Sequence, residues 1–177
     1  LAFMESIKAD IAFIGGGSAG LVAASGAAQL GQKVVLFESG EMGGDCLNYG
    51  CVPSKSLIAA ARAAQNARTA GPLGLDIAPP HVDWPRVKAH FHGVIETIAP
   101  IDSQERFEGL GVRVVRERAR FADARTIVSE TLRVRARLMV IATGARAGAP
   151  PIPGLSEVPY LTNETIFSID ALPTHLI

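Results

Sequence analysis

Apolar runs and small-residue segments alternate over the first forty residues of the chain. Residues 10–14 form an apolar run, residues 15–20 read GGGSAG, and the small residues that continue through Leu30 favour a helix. Residues 33–37 (KVVLF) form a second apolar run. Short apolar runs on either side of a helix are typical of buried parallel strands. The pattern therefore predicts a β-α-β unit.

The middle of the chain predicts two helices joined by a loop that contains Pro72, Pro79 and Pro80. The first is the Ala-rich segment 54–68, because proline at position 53 suits the first turn of a helix. In the second, apolar residues recur at spacings of three and four up to Pro100, which ends or kinks the helix. We expect this apolar seam to pack against the 54–68 helix, and a surface for a partner is the alternative. The seam consists of Trp84, Val87, Phe91, Val94, Ile98 and Ile101.

Residues 112–142 form short alternating runs rich in Val, Arg and Thr. Such runs predict a small antiparallel β-meander that leads back into the parallel sheet. The expected fold class is therefore α/β, with three layers built from a Rossmann-like central parallel sheet, its helices and the meander.

The meander segment also contains eight arginines, from Arg113 to Arg137, which would suit a nucleic-acid surface. Acidic residues interrupt the series, however, and Phe121 is its only aromatic residue. The chain has 17 basic and 17 acidic residues and a formal net charge of zero. A solvated sheet face is the better interpretation, and we expect no nucleic-acid partner.

The GGGSAG segment has the spacing of a dinucleotide-binding turn. Gly15 allows a tight turn, Gly17 lets the backbone approach a pyrophosphate, and Gly20 lets the helix pack closely on the strand. The helix that starts near Ser18 offers unpaired N–H groups to phosphates. The second strand ends in Glu38, where a carboxylate would bind the diol of a ribose. Together these elements predict a dinucleotide site.

A membrane span is the other interpretation of this segment, because no charged residue lies between Asp10 and Lys33. Six of these residues are glycine, and a turn motif lies in the first third. A buried β-α unit explains the segment better than a bilayer helix. The preceding charges are mixed in sign, unlike those of a signal peptide. We therefore expect a cytoplasmic protein, and the presence of only two cysteines agrees with a reducing compartment.

Both cysteines lie in the segment GGDCLNYGCVPSK, residues 43–55. On a straight helix Cys46 and Cys51 would lie about 140° apart, so a bond between them requires a distorted first turn. Gly50 and the two glycines before Cys46 permit one. Such a short loop would stabilise the fold by only about 2 kcal/mol. Redox exchange therefore suits the pair better than structural cross-linking.

Cys51 precedes the predicted 54–68 helix, where partial positive charge favours a thiolate. Lys55 lies four residues on, on the same face, and adds a full positive charge. A zinc site would need four ligands, but there is no second cysteine pair and the histidines are scattered at 81, 90, 92 and 175. We therefore expect no metal site. Two unrelated buried thiols are the alternative that the spacing alone leaves open.

The ordered set of motifs resembles the flavoprotein disulfide reductases, the family of dihydrolipoamide dehydrogenase, mercuric reductase and glutathione reductase. The set comprises GGGSAG, a strand ending in Glu38, GGDCLNYGCVPSK, and LMVIATG at residues 138–144. The last is similar to the family's strand that ends in Ala-Thr-Gly beneath the flavin. The resemblance extends from about residue 10 to residue 177.

The resemblance implies an oxidoreductase that uses FAD and NAD(P)H, forms a homodimer and takes part in cell redox homeostasis. By position, Cys51 is the thiol beside the flavin and forms the charge-transfer thiolate, while Cys46 is the interchange thiol that meets the substrate. Lys55 lies near the flavin nitrogen that receives hydride. The remaining residues implied to contact FAD are Gly15, Gly17, Ser18, Gly20, Glu38, Gly43, Gly44, Ala119, Thr143 and Gly144. Of these, Ala119 is placed in a strand whose backbone contacts adenine.

Two positions depart from the family pattern. Asp45 stands where many members have Thr, which places an acid close to the expected pyrophosphate. Ser54 stands where glutathione-type reductases usually have a second Lys. Ser54 therefore favours the dihydrolipoamide and mercuric branches.

The length of 177 residues is short for this family. Residues 1–150 are expected to be the first segment of an FAD-binding domain with the redox pair. Residues 151–177 resemble the connector and, at 174–177, the first strand of an NAD(P)-binding domain. We therefore expect a fragment, incomplete at the C-terminus, that lacks the nicotinamide site, the rest of the FAD pocket and the family's acid-base histidine. The chain alone is then expected to be inactive.

Two classes of function follow from the sequence. The first is an FAD-dependent disulfide oxidoreductase that acts on a small dithiol or disulfide, most like dihydrolipoamide dehydrogenase, with mercuric ion as the alternative substrate. The second is a non-catalytic FAD-binding or assembly module. The cysteine pair favours the first, because a binding module does not need activated thiols.

Overall fold

The computed structural model describes residues 4–177, and its helices and strands divide between two compact units. The strands are β1 Glu5–Ile14, β2 Val34–Phe37, β3 Val112–Val115, β4 Arg120–Asp123, β5 Thr126–Val128 and β6 Leu132–Ile141. The helices are α1 Ser18–Gln29, α2 Gly44–Asn48, α3 Cys51–Arg68, α4 Trp84–Ile98 and α5 Gln104–Gly109. Short 3-10 turns span Gly71–Leu73, Ala99–Asp102, Leu155–Glu157 and Ile166–Ser168.

The first unit contains residues 4–48 and 98–145 and is built on one mixed sheet. Within these residues the strand order is β3-β2-β1-β6-β5-β4. β1 pairs in parallel with β2 and with β6, and β2 pairs in parallel with β3. β4, β5 and β6 pair antiparallel. The α/β class, with a central parallel sheet and a small antiparallel meander, is confirmed.

Alternate residues of β2 pack on opposite faces of the sheet, as the pleat of a strand requires. One face forms a core with α1 and α5, and its buried residues are Phe13, Leu21, Ala24, Val34, Leu36, Met42, Phe107, Val112 and Val114. The other face gathers residues of the meander, and its buried residues are Ala9, Ala12, Val35, Phe37, Val115, Ile127, Leu132, Val134 and Ala136. β2 is buried on both faces, which explains why its sequence is continuously apolar.

Two strands differ from the sequence prediction. β3 is not part of the meander, because it pairs with β2 as an outer strand of the parallel sheet. β1 begins at Glu5 rather than at residue 10, because the Glu5 end pairs with Leu132 of β6. The arginines of β6 alternate with buried residues and are exposed, as expected for a solvated sheet face.

The second unit contains residues 49–97 and 146–177. α4 ends at Ile98, two residues before Pro100, as the proline predicts. Its apolar seam meets Leu57 of α3, in line with the sequence prediction, but it packs chiefly on the later segment around Phe167. The Trp84 indole donates a hydrogen bond to the Ile169 carbonyl at 3.2 Å.

The predicted domain boundary at residue 150 stays a prediction, and residues 1–3 of its first range lie outside the described residues. Residues 174–177 are irregular in the structure rather than a strand. A β-strand requires a neighbour to pair with its backbone groups, and none of the described strands pairs with them. No helix in residues 4–177 has the length and apolar content that a membrane crossing requires.

Candidate functional site

The turn after β1 depends on two glycines. Gly15 is buried at φ +113°, and a Cβ added there would lie 2.1 Å from the Ala142 carbonyl oxygen. A Cβ added at Gly20 would lie 1.8 Å from the Gly15 carbonyl oxygen. No side chain larger than hydrogen fits at either position without moving the backbone. The roles predicted for these residues, a tight turn and close packing of α1, agree with this geometry.

Gly17 has a different environment. A Cβ there would meet nothing closer than the Gly44 Cα, at 3.7 Å, so internal packing does not require glycine. Gly17 is the N-cap of α1, and no side chain caps the helix. Ser18 is the first helical residue and is exposed, and the first turn carries no acidic residue. The uncapped N–H groups of this turn are suited to bind an anion.

The Glu38 carboxylate lies against the glycine turn. Its Oε2 accepts a hydrogen bond from the Gly16 amide at 2.5 Å, and its Oε1 accepts one from the Gly40 amide at 2.6 Å. The residues bonded through Oε2 are 22 positions apart in sequence, so the β1-β2 pairing brings them together. Each carboxylate oxygen keeps a second lone pair, which can accept a hydroxyl hydrogen.

A second glycine turn docks on the first. Gly43 and Gly44 have φ values of +83° and +57°. The Gly43 amide donates to the Gly16 carbonyl at 2.9 Å, and Gly43 and Gly17 form an isolated parallel bridge. A Cβ on Gly44 would lie 2.7 Å from the Gly17 Cα. The structure thus brings both predicted glycine segments and Glu38 to one place.

Asn48, at the end of α2, holds the second turn in position. Its side-chain amide donates to the Gly44 carbonyl at 2.8 Å and to the Met42 carbonyl at 3.1 Å. The sequence interpretation gave Asn48 no role. Its position four residues after Gly44, at the end of the short helix that carries Cys46, is the signal that could have suggested one.

The loop between β3 and β4, which contains Ala119, is fastened at two points. The Arg116 guanidinium donates to the Gly40 carbonyl at 2.5 Å. Glu117 accepts hydrogen bonds from the Thr131 amide at 3.0 Å and from its hydroxyl at 2.5 Å. Hydrogen bonds from Ser129 and Thr131 hold the pKa of Glu117 at about 2. Arg116 was also missed, because its partner lies 76 positions away in the sequence.

Ala119 lies in this irregular loop and not in a strand, so that part of the prediction is wrong. β3 ends at Val115 and β4 begins at Arg120, and Ala119 is half-buried against the core on the meander side of the sheet. Its contact with adenine stays a prediction.

The end of β6 meets the first glycine turn. The Ala142 amide donates to the Ile14 carbonyl at 2.8 Å. The Thr143 amide nitrogen is 3.0 Å from the position that a Gly15 Cβ would take. Thr143 and Gly144 are exposed, and Gly144 has φ +68°. Both predicted residues therefore follow directly on the backbone that borders the turn.

The redox residues lie on two successive helices. Cys46 is half-buried in α2, in the first unit, and Cys51 is the exposed first residue of α3, in the second unit. The prediction that Cys51 lies at the start of a helix is confirmed. That it is a thiolate stays a prediction. Lys55 is exposed one turn further along α3. Their roles in the reaction stay predictions.

No cluster of three or more His, Cys, Asp and Glu side chains within residues 4–177 could hold a metal ion.

Comparison with known proteins identifies the family. Residues 9–177 match the family described as pyridine nucleotide-disulphide oxidoreductase. The chain belongs to this family. It is 35% identical to a mercuric reductase of Streptomyces lividans over 174 residues, which is 95% of this chain and 37% of that protein. A mercuric reductase of Staphylococcus aureus is 32% identical over 94% of this chain and 30% of its own length.

A solved structure shares the fold of this family member. The copper(II) complex of the HOCl-induced flavoprotein disulfide reductase RclA from Escherichia coli superimposes with a TM-score of 0.74 at 24% identity. The match covers 93% of this chain and 34% of that one. The chain thus spans about a third of the length of the relatives that it matches.

Proposed function

We propose that this chain binds FAD and carries the redox-active cysteine pair of a disulfide oxidoreductase. The observation that carries the proposal is the meeting of two glycine turns, an uncapped helix N-terminus and a carboxylate. This is the combination that a dinucleotide requires, with phosphates on amides and a ribose on an acid. Membership of the family supports the flavin as the dinucleotide.

The residues present fit the cofactor. The first turn of α1, from Gly17 to Gly20, would bind the pyrophosphate, because Gly17 leaves its approach open. Glu38 would accept hydrogen bonds from the ribose while it remains bound to Gly16 and Gly40. Gly43 and Gly44 would border the phosphates, and Thr143 and Gly144 would lie on the flavin side. The position of Lys55 near the flavin is an inference from family membership alone.

When bound, FAD supplies a two-electron carrier between NAD(P)H and sulfur. The residues of the chain handle the sulfur chemistry. Two electrons break the Cys46–Cys51 bond, and one proton is taken up at Cys46 while Cys51 stays a thiolate at the start of α3. A disulfide substrate then receives the two electrons, one proton from Cys46 and one proton from solvent. Both substrate sulfurs leave as thiols, and the Cys46–Cys51 bond forms again.

The proposed oxidoreductase has two candidate substrates, mercuric ion and dihydrolipoamide. The curated relatives named above are mercuric reductases, and this favours Hg²⁺, which would take up two electrons and leave as the metal. Ser54 agrees equally with dihydrolipoamide, the substrate that the sequence interpretation preferred. The comparisons give no support to that preference. The cytoplasmic location and the homodimer stay predictions.

Reductive titration tests the proposal. Adding two electrons per flavin as dithionite to the FAD-loaded protein should produce a long-wavelength thiolate-to-flavin absorption band. Cys51→Ser should remove the band. The matched variant Cys46→Ser should show the band before any reductant is added, because its Cys51 thiolate already lies beside oxidised flavin. Two electrons should then remove the band, because without a disulfide they reduce the flavin itself. A band that persists in Cys51→Ser would contradict the assignment of this residue, and flavin binding without any band would favour a non-catalytic module.

A further inference from the structure

The second unit contains an open groove of about 820 Å³ between α3 and α4. Its volume lies in the range of small-molecule sites. Short alanine side chains of α3 and larger apolar residues of α4 line the groove, and Leu172 of the C-terminal segment lines it as well. The apolar surface is made by Leu57, Ala61, Ala64, Trp84, Val87 and Leu172.

Basic side chains line the same groove as this apolar surface. Arg68, at the end of α3, and Arg86, in the first turn of α4, both line the groove, as do His81 and His90. Asp83 is the acid among the lining residues, and its carboxylate accepts a hydrogen bond from the Arg86 backbone amide at 3.1 Å. The Asp83 carboxylate therefore caps a backbone N–H group in the first turn of α4.

Neither guanidinium forms an ion pair within the part of the chain that the structure describes. The ion pairs there join Lys88 to Asp170, Arg113 to Glu5, and Arg137 to Asp10. Arginine presents a planar set of donors that matches a carboxylate or sulfonate group, and its weak hydration suits the edge of an apolar cavity.

We propose that this groove binds a small amphipathic anion, a molecule with a compact apolar body and one carboxylate or sulfonate group. The body would lie on the alanine face of α3 and against Trp84, and the anionic group would meet Arg68 and Arg86. The volume favours a small molecule over a protein segment. No residue assigned to the dinucleotide or to the redox pair lines the groove, so the site is additional to the proposed function.

Two fluorescent probes with the same aromatic body test the proposal. One is 8-anilinonaphthalene-1-sulfonate, and the other is N-phenyl-1-naphthylamine, which lacks the sulfonate. The sulfonate should bind at least tenfold more tightly. Arg68→Gln and Arg86→Gln should each weaken sulfonate binding about fivefold and change binding of the neutral probe less than twofold. Arg62→Gln is the matched control, because Arg62 is an exposed arginine of α3 that does not line the groove.

A blocking variant locates the site. Ala64→Trp should abolish binding of both probes, and circular dichroism should show an intact fold; if it does not, Ala61→Leu provides the same test. The proposal would be overturned if the blocking variant still bound the sulfonate probe, or if neither arginine variant changed the affinity for that probe. A dimeric wild type that does not bind the probe would also overturn it, if analytical ultracentrifugation showed that Ala64→Trp is a monomer. A second copy of the chain would then fill the groove.

Discussion

At the residue scale, two glycines of α1 should respond oppositely to the same substitution. Gly20→Ala places a Cβ 1.8 Å from the Gly15 carbonyl oxygen, so the helix must move from the turn. We expect a loss of roughly 1–3 kcal/mol in the free energy of unfolding, as for overpacking, and weaker FAD binding. Gly26→Ala meets nothing within 4 Å and should gain about 0.5–1 kcal/mol. Urea unfolding and flavin titration measure both effects, and equal stability of the two variants would refute the packing argument.

The site residues that could be predicted from the sequence are those whose positions depend on neighbouring elements of the chain. Gly15, Gly20 and Glu38 belong to one β-α-β unit, so their spacing alone indicates where they meet. Arg116 could not be predicted in the same way, because its contact with the Gly40 carbonyl depends on β3 pairing with β2. The sequence interpretation had placed that strand in the meander.

At the element scale, the segment that packs on the apolar face of α4 could not be predicted from the sequence. The apolar seam predicted a buried face, and α3 supplies Leu57 to it, but the 3-10 turn Ile166–Ser168 supplies Phe167. The Phe91 and Phe167 rings meet edge to face with centroids 5.8 Å apart. A segment of three residues has no periodicity to detect, and its partner lies 76 positions earlier in the chain.

This contact predicts a large effect from one aromatic residue of the late segment. Phe167→Ala removes a side chain that is 8% exposed and should cost about 3 kcal/mol or more. Trp84 fluorescence should shift to longer wavelength, because water would reach the neighbouring cavity. The control is Tyr160→Ala in the same segment, where the side chain is 46% exposed and the expected change is under 1 kcal/mol. A Trp84 spectrum unchanged in Phe167→Ala would contradict this packing.

At the scale of the whole molecule, the two units have unequal cores. Each face of the sheet in the first unit carries nine buried residues, whereas the cluster of the second unit has three within the described chain. Local opening is easier where fewer apolar contacts must break. Backbone amides of β1 and β2 should therefore exchange with deuterium more slowly than mid-helix amides of α3 and α4.

We expect the difference in protection to be at least about tenfold, which corresponds to about 1.4 kcal/mol in opening free energy. Mass spectrometry of peptides from 5–14 and 34–37 against peptides from 54–68 and 84–98 provides the measurement. Low urea should accelerate exchange in the helical peptides first, because opening of the second unit exposes its small core before the sheet opens. Equal protection and a common urea dependence in all four peptides would instead mean that both units open in one cooperative step, and the difference in core size would then have no consequence for stability.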